Sequence, residues 1–149
     1  MKIVDEIIKE SLYCNIATVR ENGAPWNTPV FFVGNIKDGI VWWSAHSSVH
    51  SKNIYRDSRV FITMYNSKEV EGQGTGVYIQ AIAEELVDDE DIELALKAYN
   101  KKAKSFKLSK NHASGSAPTR MYKATVDRVW INDGEEKNGY YADIRKEVL

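Results

Sequence analysis

Cysteine is almost missing from this chain: among 149 residues only Cys14 carries a thiol. One cysteine closes no internal disulfide, so folding needs no oxidising compartment, and a multi-cysteine zinc or iron–sulfur site is excluded. An excess of charge of one sign is missing too. Twenty Lys and Arg stand against 21 Asp and Glu, a formal net charge of −1, whereas a nucleic-acid surface calls for a strongly basic face. Long apolar runs are also absent. Met1 to Leu12 places Ile3, Val4, Ile7, Ile8 and Leu12 at helical spacing with charges between them. That pattern is an amphipathic helix, not a signal peptide or a membrane span. The expectation is a cytoplasmic protein with neither nucleic acid nor membrane as partner.

What is present is an ordinary soluble composition, 43% apolar and 28% charged, in one domain over residues 1–149 that is long enough to bury a core. After the first helix, β-branched and aromatic enrichment predicts strands near 14–20, 26–33, 39–44, 59–65, 75–87 and 119–132. Gly23, Asp38-Gly39 and Asp133-Gly134 supply turn chemistry. His50 to Asp57 has room for two helical turns. A longer helix starts after an Asp88-Asp89 cap, sets Ile92, Ala95, Leu96 and Tyr99 on one face and ends in Lys101, Lys102 and Lys104. Ser105 to Pro118 is polar and aperiodic, which reads as a long mobile loop. Gly72 to Gly76 precedes a strand and lacks the Lys-Ser/Thr of a phosphate loop, so it reads as a hairpin connection. Six or so antiparallel strands with short turns and few helices imply a mainly β fold, a small barrel with flanking helices.

The chemistry concentrates between Asn15 and Met64. Apolar Ile40-Val-Trp-Trp-Ser44 gives way to Ala45-His-Ser-Ser-Val-His-Ser-Lys-Asn53, so hydroxyls, imidazoles and an ammonium gather where a strand ends and a helix begins, a setting suited to a phosphate. Trp42 and Trp43 alternate across a strand, one toward the core and one available as a wall for a flat ring. His46 and His50 are four apart, the spacing of a helical zinc pair, but no Cys or evident Glu joins them and an anion contact is preferred for His50. Lys52, in the first turn of a short helix where the dipole disfavours a cation, points to an anionic neighbour. Cys14 reads as a buried structural thiol. Lysines between 97 and 110 read as a solvated face.

The Ala17-Thr-Val19 strand, the Gly23-x-Pro25 turn, the Val30-Phe-Phe strand, Trp42-Trp43-Ser44, Lys52-Asn53-Ile54, Arg59-Val60 and Val129-Trp130-Ile131 before Asp133-Gly134 follow one another in a family order. Together they resemble the pyridoxamine 5'-phosphate oxidase-like family, the FMN-binding split β-barrels with a Greek-key-like sheet. The resemblance implies a homodimer with FMN in clefts between two barrels. It implies that Asn27, Thr28, Pro29 and Val30 face the flavin ring, and that Trp43 and Ser44 lie by the ribityl chain and phosphate. His50, Ser51, Lys52 and Asn53 would anchor the phosphate, and Trp130 would approach from the partner subunit.

Two positions depart from the well-studied oxidases, which carry an arginine in place of Thr28 and a basic pair in place of Val49-His50. With fewer permanent charges, weaker FMN binding is expected. Ala142-Asp-Ile-Arg145 is a poor match to the motif that grips the vitamin B6 phosphate, so that reaction is not expected. The leading expectation is an FMN-dependent oxidoreductase acting on a small molecule, with no acid–base residue named. The alternatives are a flavin-binding sensory module without turnover, or a deazaflavin or haem protein on the same barrel, for which His46, His50 and His112 are the imidazoles available.

Overall fold

The computed structural model describes residues 2–72 and 74–149; Met1, in the N-terminal helix reading, and Gln73, in the Gly72–Gly76 reading, lie outside the described residues. Helix α1 (Lys2–Glu10) buries Val4, Ile7 and Ile8 of the apolar face its spacing predicts, while Ile3 stays exposed and Leu12 lies beyond the helix end, also exposed. Among the described residues seven strands follow: β1 (Tyr13–Val19), β2 (Pro25–Asn35), β3 (Gly39–Ala45), β4 (Arg59–Tyr65), β5 (Gly76–Glu85), β6 (Thr119–Lys137) and β7 (Tyr140–Glu147). Helix α2 (Val49–Arg56) lies between β3 and β4, and helix α3 (Asp89–Lys102) between β5 and β6.

All strand pairs are antiparallel, in the order β3-β2-β1-β4-β5-β6-β7. Strands β1 to β3 form a meander, and β4 returns beside β1, which is a Greek key. A further pairing, Ile40↔Ala124 through Ala45↔Thr119, joins β3 to β6 and closes six strands into a ring. Strand β6 serves three partners because it is 19 residues long: its first part pairs with β3, its middle with β5 and its last part with β7. Opposite Gln80 and Ala81 of β5, β6 carries one extra residue, Asp127 between Val126 and Arg128, a bulge that bends β6 where the ring must curve.

Strand alternation fills the ring. Ile16, Phe32, Ile40, Trp42, Ile62, Val77, Ile79 and Val129 are fully buried, joined by Ile54 of α2 and the apolar face of α1. Removing that much aliphatic and aromatic surface from water is the main term holding the barrel. A second core lies outside the ring, where Ile92, Ala95, Leu96 and Tyr99 of α3 cover Val33, Val41, Leu86 and Met121. The α3 cap is the predicted one: the Asp88 carboxylate accepts from the N–H groups of Glu90 and Asp91. The β2–β3 turn needs its glycines. Gly34 has φ +113°, and a Cβ there would fall 2.0 Å from the Gly39 carbonyl oxygen.

Two expectations need correction. Asp133-Gly134 is not a turn: β6 runs through it to Lys137, and the chain reverses at Asn138 (φ 53°) and Gly139 (φ 78°), the Asn-Gly pair that a tight hairpin favours. The 105–118 segment is anchored. Asn100 donates to the Leu108 carbonyl and accepts from its N–H, both at 2.7 Å. The Trp43 indole and the Thr119 hydroxyl both donate to the His112 carbonyl, and Leu108 and Ala113 are buried.

Candidate functional site

The polar stretch after β3 folds around Ser48, the α2 N-cap. Its hydroxyl accepts from the Ser51 N–H at 3.3 Å and lies 2.9 Å from the Ser51 hydroxyl. His50 Nε2 sits 2.8 Å from Ser44 Oγ and 3.2 Å from Ser48 Oγ. Burial lowers the His50 imidazole below its ordinary 6.5, so near neutral pH it is an uncharged member of a hydroxyl cluster. Asn53 donates to Thr18 Oγ1 at 2.9 Å and so satisfies a buried hydroxyl from β1. Burial raises the Tyr122 phenol, opposed by its hydrogen bond with Ser51.

Ser48 thus brings Ser44, His50 and Ser51 together, while Asn53 turns to Thr18 of β1; His50, Ser51 and Asn53 are buried. Lys52 alone of that run is exposed. It lines a cleft of about 460 Å³ with His46, Tyr55, Glu84 and Glu85. His46 lies in the turn before α2, so the two histidines do not share a helical face.

Asn27 to Val30 do not act as a block. On β2, Thr28 and Val30 stand opposite the buried Ile16 and Cys14 of β1 and share their inner side. Asn27 and Pro29 take the outer face. Trp43 and Ser44 separate for the same reason. Ser44 reaches the His50 cluster, while Trp43 packs into the second core beside Phe106, ring centroids 5.8 Å apart, with its N–H on the His112 carbonyl.

On the outer face the registers align Pro29, Asn15, Thr63, Tyr78 and Trp130 in one row across β2, β1, β4, β5 and β6. Pro29 and Trp130 are four strand spacings apart, about 19 Å along the sheet. Around Trp130 lies an aromatic patch: Phe61 stacks at 6.2 Å, Arg128 sits 4.9 Å over its ring and Arg145 sits 4.4 Å over Tyr78. Phe61, Tyr78, Trp130 and Arg145 surround a shallow hollow. Ion pairs with Glu147 and Asp143 hold the two guanidiniums. Sequence reasoning missed Thr18, Ser48, Phe61, Tyr78 and Arg145 as parts of these clusters. Ser48, as the hydroxyl three residues before Ser51, carried an N-cap signal; the others are joined only through pairing across the sheet.

A closed Greek-key ring, a polar helix start at one end and an exposed aromatic sheet face define a small split-barrel protein. The chain belongs to the pyridoxamine 5'-phosphate oxidase family, whose model matches residues 2–133. No curated protein matches it. Among solved structures it is similar to a heme-binding protein from Mycobacterium smegmatis (TM-score 0.72, 19% identity, 95% of this chain and 56% of that one). It is also similar to HutZ, the heme storage protein from Vibrio cholerae (TM-score 0.67, 19% identity, 86% and 91%). A FAD-binding protein from Mesorhizobium loti has a TM-score of 0.65 at 15% identity, over 87% of this chain and 91% of that one. At such identities the likeness is one of fold. Among the described residues no helix is long and apolar enough to cross a membrane.

Proposed function

We propose that the protein is an FMN-binding oxidoreductase that acts on a small molecule as a homodimer, with the cofactor in clefts between two barrels. The observation that carries this reading is the outer-face row. Asn27 and Pro29 stand at one end and Trp130 at the other, about 19 Å away along the sheet, farther than one flat ring system spans. A second copy related by a two-fold axis would bring its Trp130 over the first copy's β2 and give each ring a wall from both chains. Family membership and a FAD-binding neighbour on the same fold support the choice of a flavin.

The groups present suit FMN. The Asn27 amide and the strand-edge backbone of β2 would meet the polar edge of the ring, Trp130 and Phe61 would cover its apolar faces, and Lys52 would neutralise the phosphate. Bound FMN supplies hydride transfer. The chain's contribution is to orient the ring, exclude water and hold the anionic end. That end carries little positive charge, since Glu84 and Glu85 line the cleft of Lys52, Thr28 and Val49 bring no cation and His50 is buried and neutral; affinity is therefore lower than at a site with several arginines.

An absorption spectrum of freshly purified protein, mass spectrometry of the released ligand and titration with added FMN test the reading. A yellow protein that releases FMN, or takes it up stoichiometrically, is the expected result; a colourless protein that takes up none overturns it. The haem-binding neighbours define a second reading. Ser44 and Ser48 occupy His50 Nε2 and Ser109 holds His112 Nδ1, which leaves the exposed His46 as the most accessible imidazole. A Soret band on haem titration that is lost in His46→Ala would put haem in place of the flavin.

A further inference from the structure

We infer that the cleft where β1 and β4 diverge binds a flat aromatic molecule with a hydrogen-bonding edge; its role as the substrate pocket rests on the flavin reading above. Both strands are seven residues long, yet their ladder holds only Asn15↔Thr63, Ile16↔Ile62 and Ala17↔Phe61. Continued by two positions, this register would set Tyr13 directly opposite Tyr65. The pairing stops at Asn15 instead, and the strands open into a cleft of about 430 Å³, a volume typical of small-ligand sites. The end of α1 closes one side and Asn66 to Lys68 the other.

The lining specifies the ligand. Tyr13 and Tyr65 are 62% and 59% exposed, two aromatic walls on strands that have moved apart. At the level where pairing ends, the Asn15 amide and the Thr63 hydroxyl face outward and offer both donors and acceptors. Cys14 lies beneath, and burial pushes its thiol up to about 12, so it is a neutral, soft floor and not a nucleophile. Glu10 and Lys68 line the cleft with opposite charges, so the lining carries no net charge and no excess of cations for a strongly anionic ligand. Pro29, in the segment proposed to face the flavin ring, lines the same cleft. A molecule held there would lie beside the ring rather than in its place.

The probe is 7-hydroxycoumarin, flat, fluorescent and polar along one edge, followed by fluorescence anisotropy on the protein as purified and after saturation with FMN. Saturable binding is expected in both states, at least tenfold weaker in Tyr13→Ala and in Tyr65→Ala and unchanged in Tyr140→Ala, whose ring is 79% exposed on β7. Both cleft tyrosines are exposed, so circular dichroism should show the variants folded. Absence of saturable binding, or equal affinity in all four proteins, overturns the site. Displacement of the probe by FMN overturns it as well, because the probe would then occupy the flavin's own cleft. Binding by a protein that takes up no FMN would keep the site and remove its role as a substrate pocket.

Discussion

His50 shows how a single side chain changes meaning between sequence and fold. In the sequence it is an imidazole among serines ahead of a lysine, the composition of an anion site. In the fold its Nε2 is shared between Ser44 and Ser48 and burial holds its pKa below 6.5. In the unfolded chain the same group titrates near its ordinary value. Between the two values the unfolded state binds more protons, so stability rises with pH through that window. His50 therefore withholds no stability above about pH 6.5, and stability is lost as pH falls through the folded pKa. Urea-unfolding midpoints between about pH 5 and 7.5 should decline on the acid side, and His50→Asn, which keeps a polar partner for Ser44, should flatten the decline. Parallel curves for the two proteins would mean that the acid sensitivity originates elsewhere. The residue types at this site were legible. Their direction was not, because Asn53 answers to Thr18, 35 residues away.

At the level of elements, the parts with a period were legible and those held by irregular bonds were not. The α1 and α3 faces and the strand alternation follow from spacing, and six of the seven strands fall where β-branched and aromatic residues cluster. Strand β7 escaped because Asp133-Gly134 looked like the turn, whereas Asn138-Gly139 makes it. The 105–118 segment looked mobile because it has no periodicity. Its order comes from side chain to backbone hydrogen bonds, which leave no periodic trace: Asn100 with Leu108, Trp43 and Thr119 with His112, and Arg120 with Gly115. If Asn100 is the main clamp, Asn100→Ala frees both backbone groups of a buried residue at a cost of about 1–3 kcal/mol. Hydrogen exchange of residues 105–113 should then accelerate by tenfold or more while β1, β4 and β5 keep their protection. Unchanged exchange in the segment would mean that packing of Leu108 and Ala113 suffices without the amide.

On the scale of the whole molecule, closure of the ring by β3 and β6 leaves one broad surface unexplained by the fold itself. Outside the β1–β4–β5 sheet, away from the Tyr13–Tyr65 cleft, stand Val19, Phe61 and Ile82, all more than a third exposed, beside the half-buried Trp130 and Tyr78. An apolar face of this kind, rimmed by Arg128 and Arg145, is the surface on which the proposed dimer would form. Phe61 lies near its middle, in contact with both Tyr78 and Trp130, and its side chain plays no part in the barrel core. Phe61→Arg should therefore leave the fold intact by circular dichroism and place a charge where two copies meet. Sedimentation analysis should find the parent chain dimeric at micromolar concentration and the variant monomeric. FMN retention should fall with the loss of the dimer, because the ring would keep Asn27 and Pro29 from one chain and lose Trp130 of the other. A variant that becomes monomeric yet holds FMN as tightly as the parent would refute a cofactor site built from two chains and confine the flavin to one barrel.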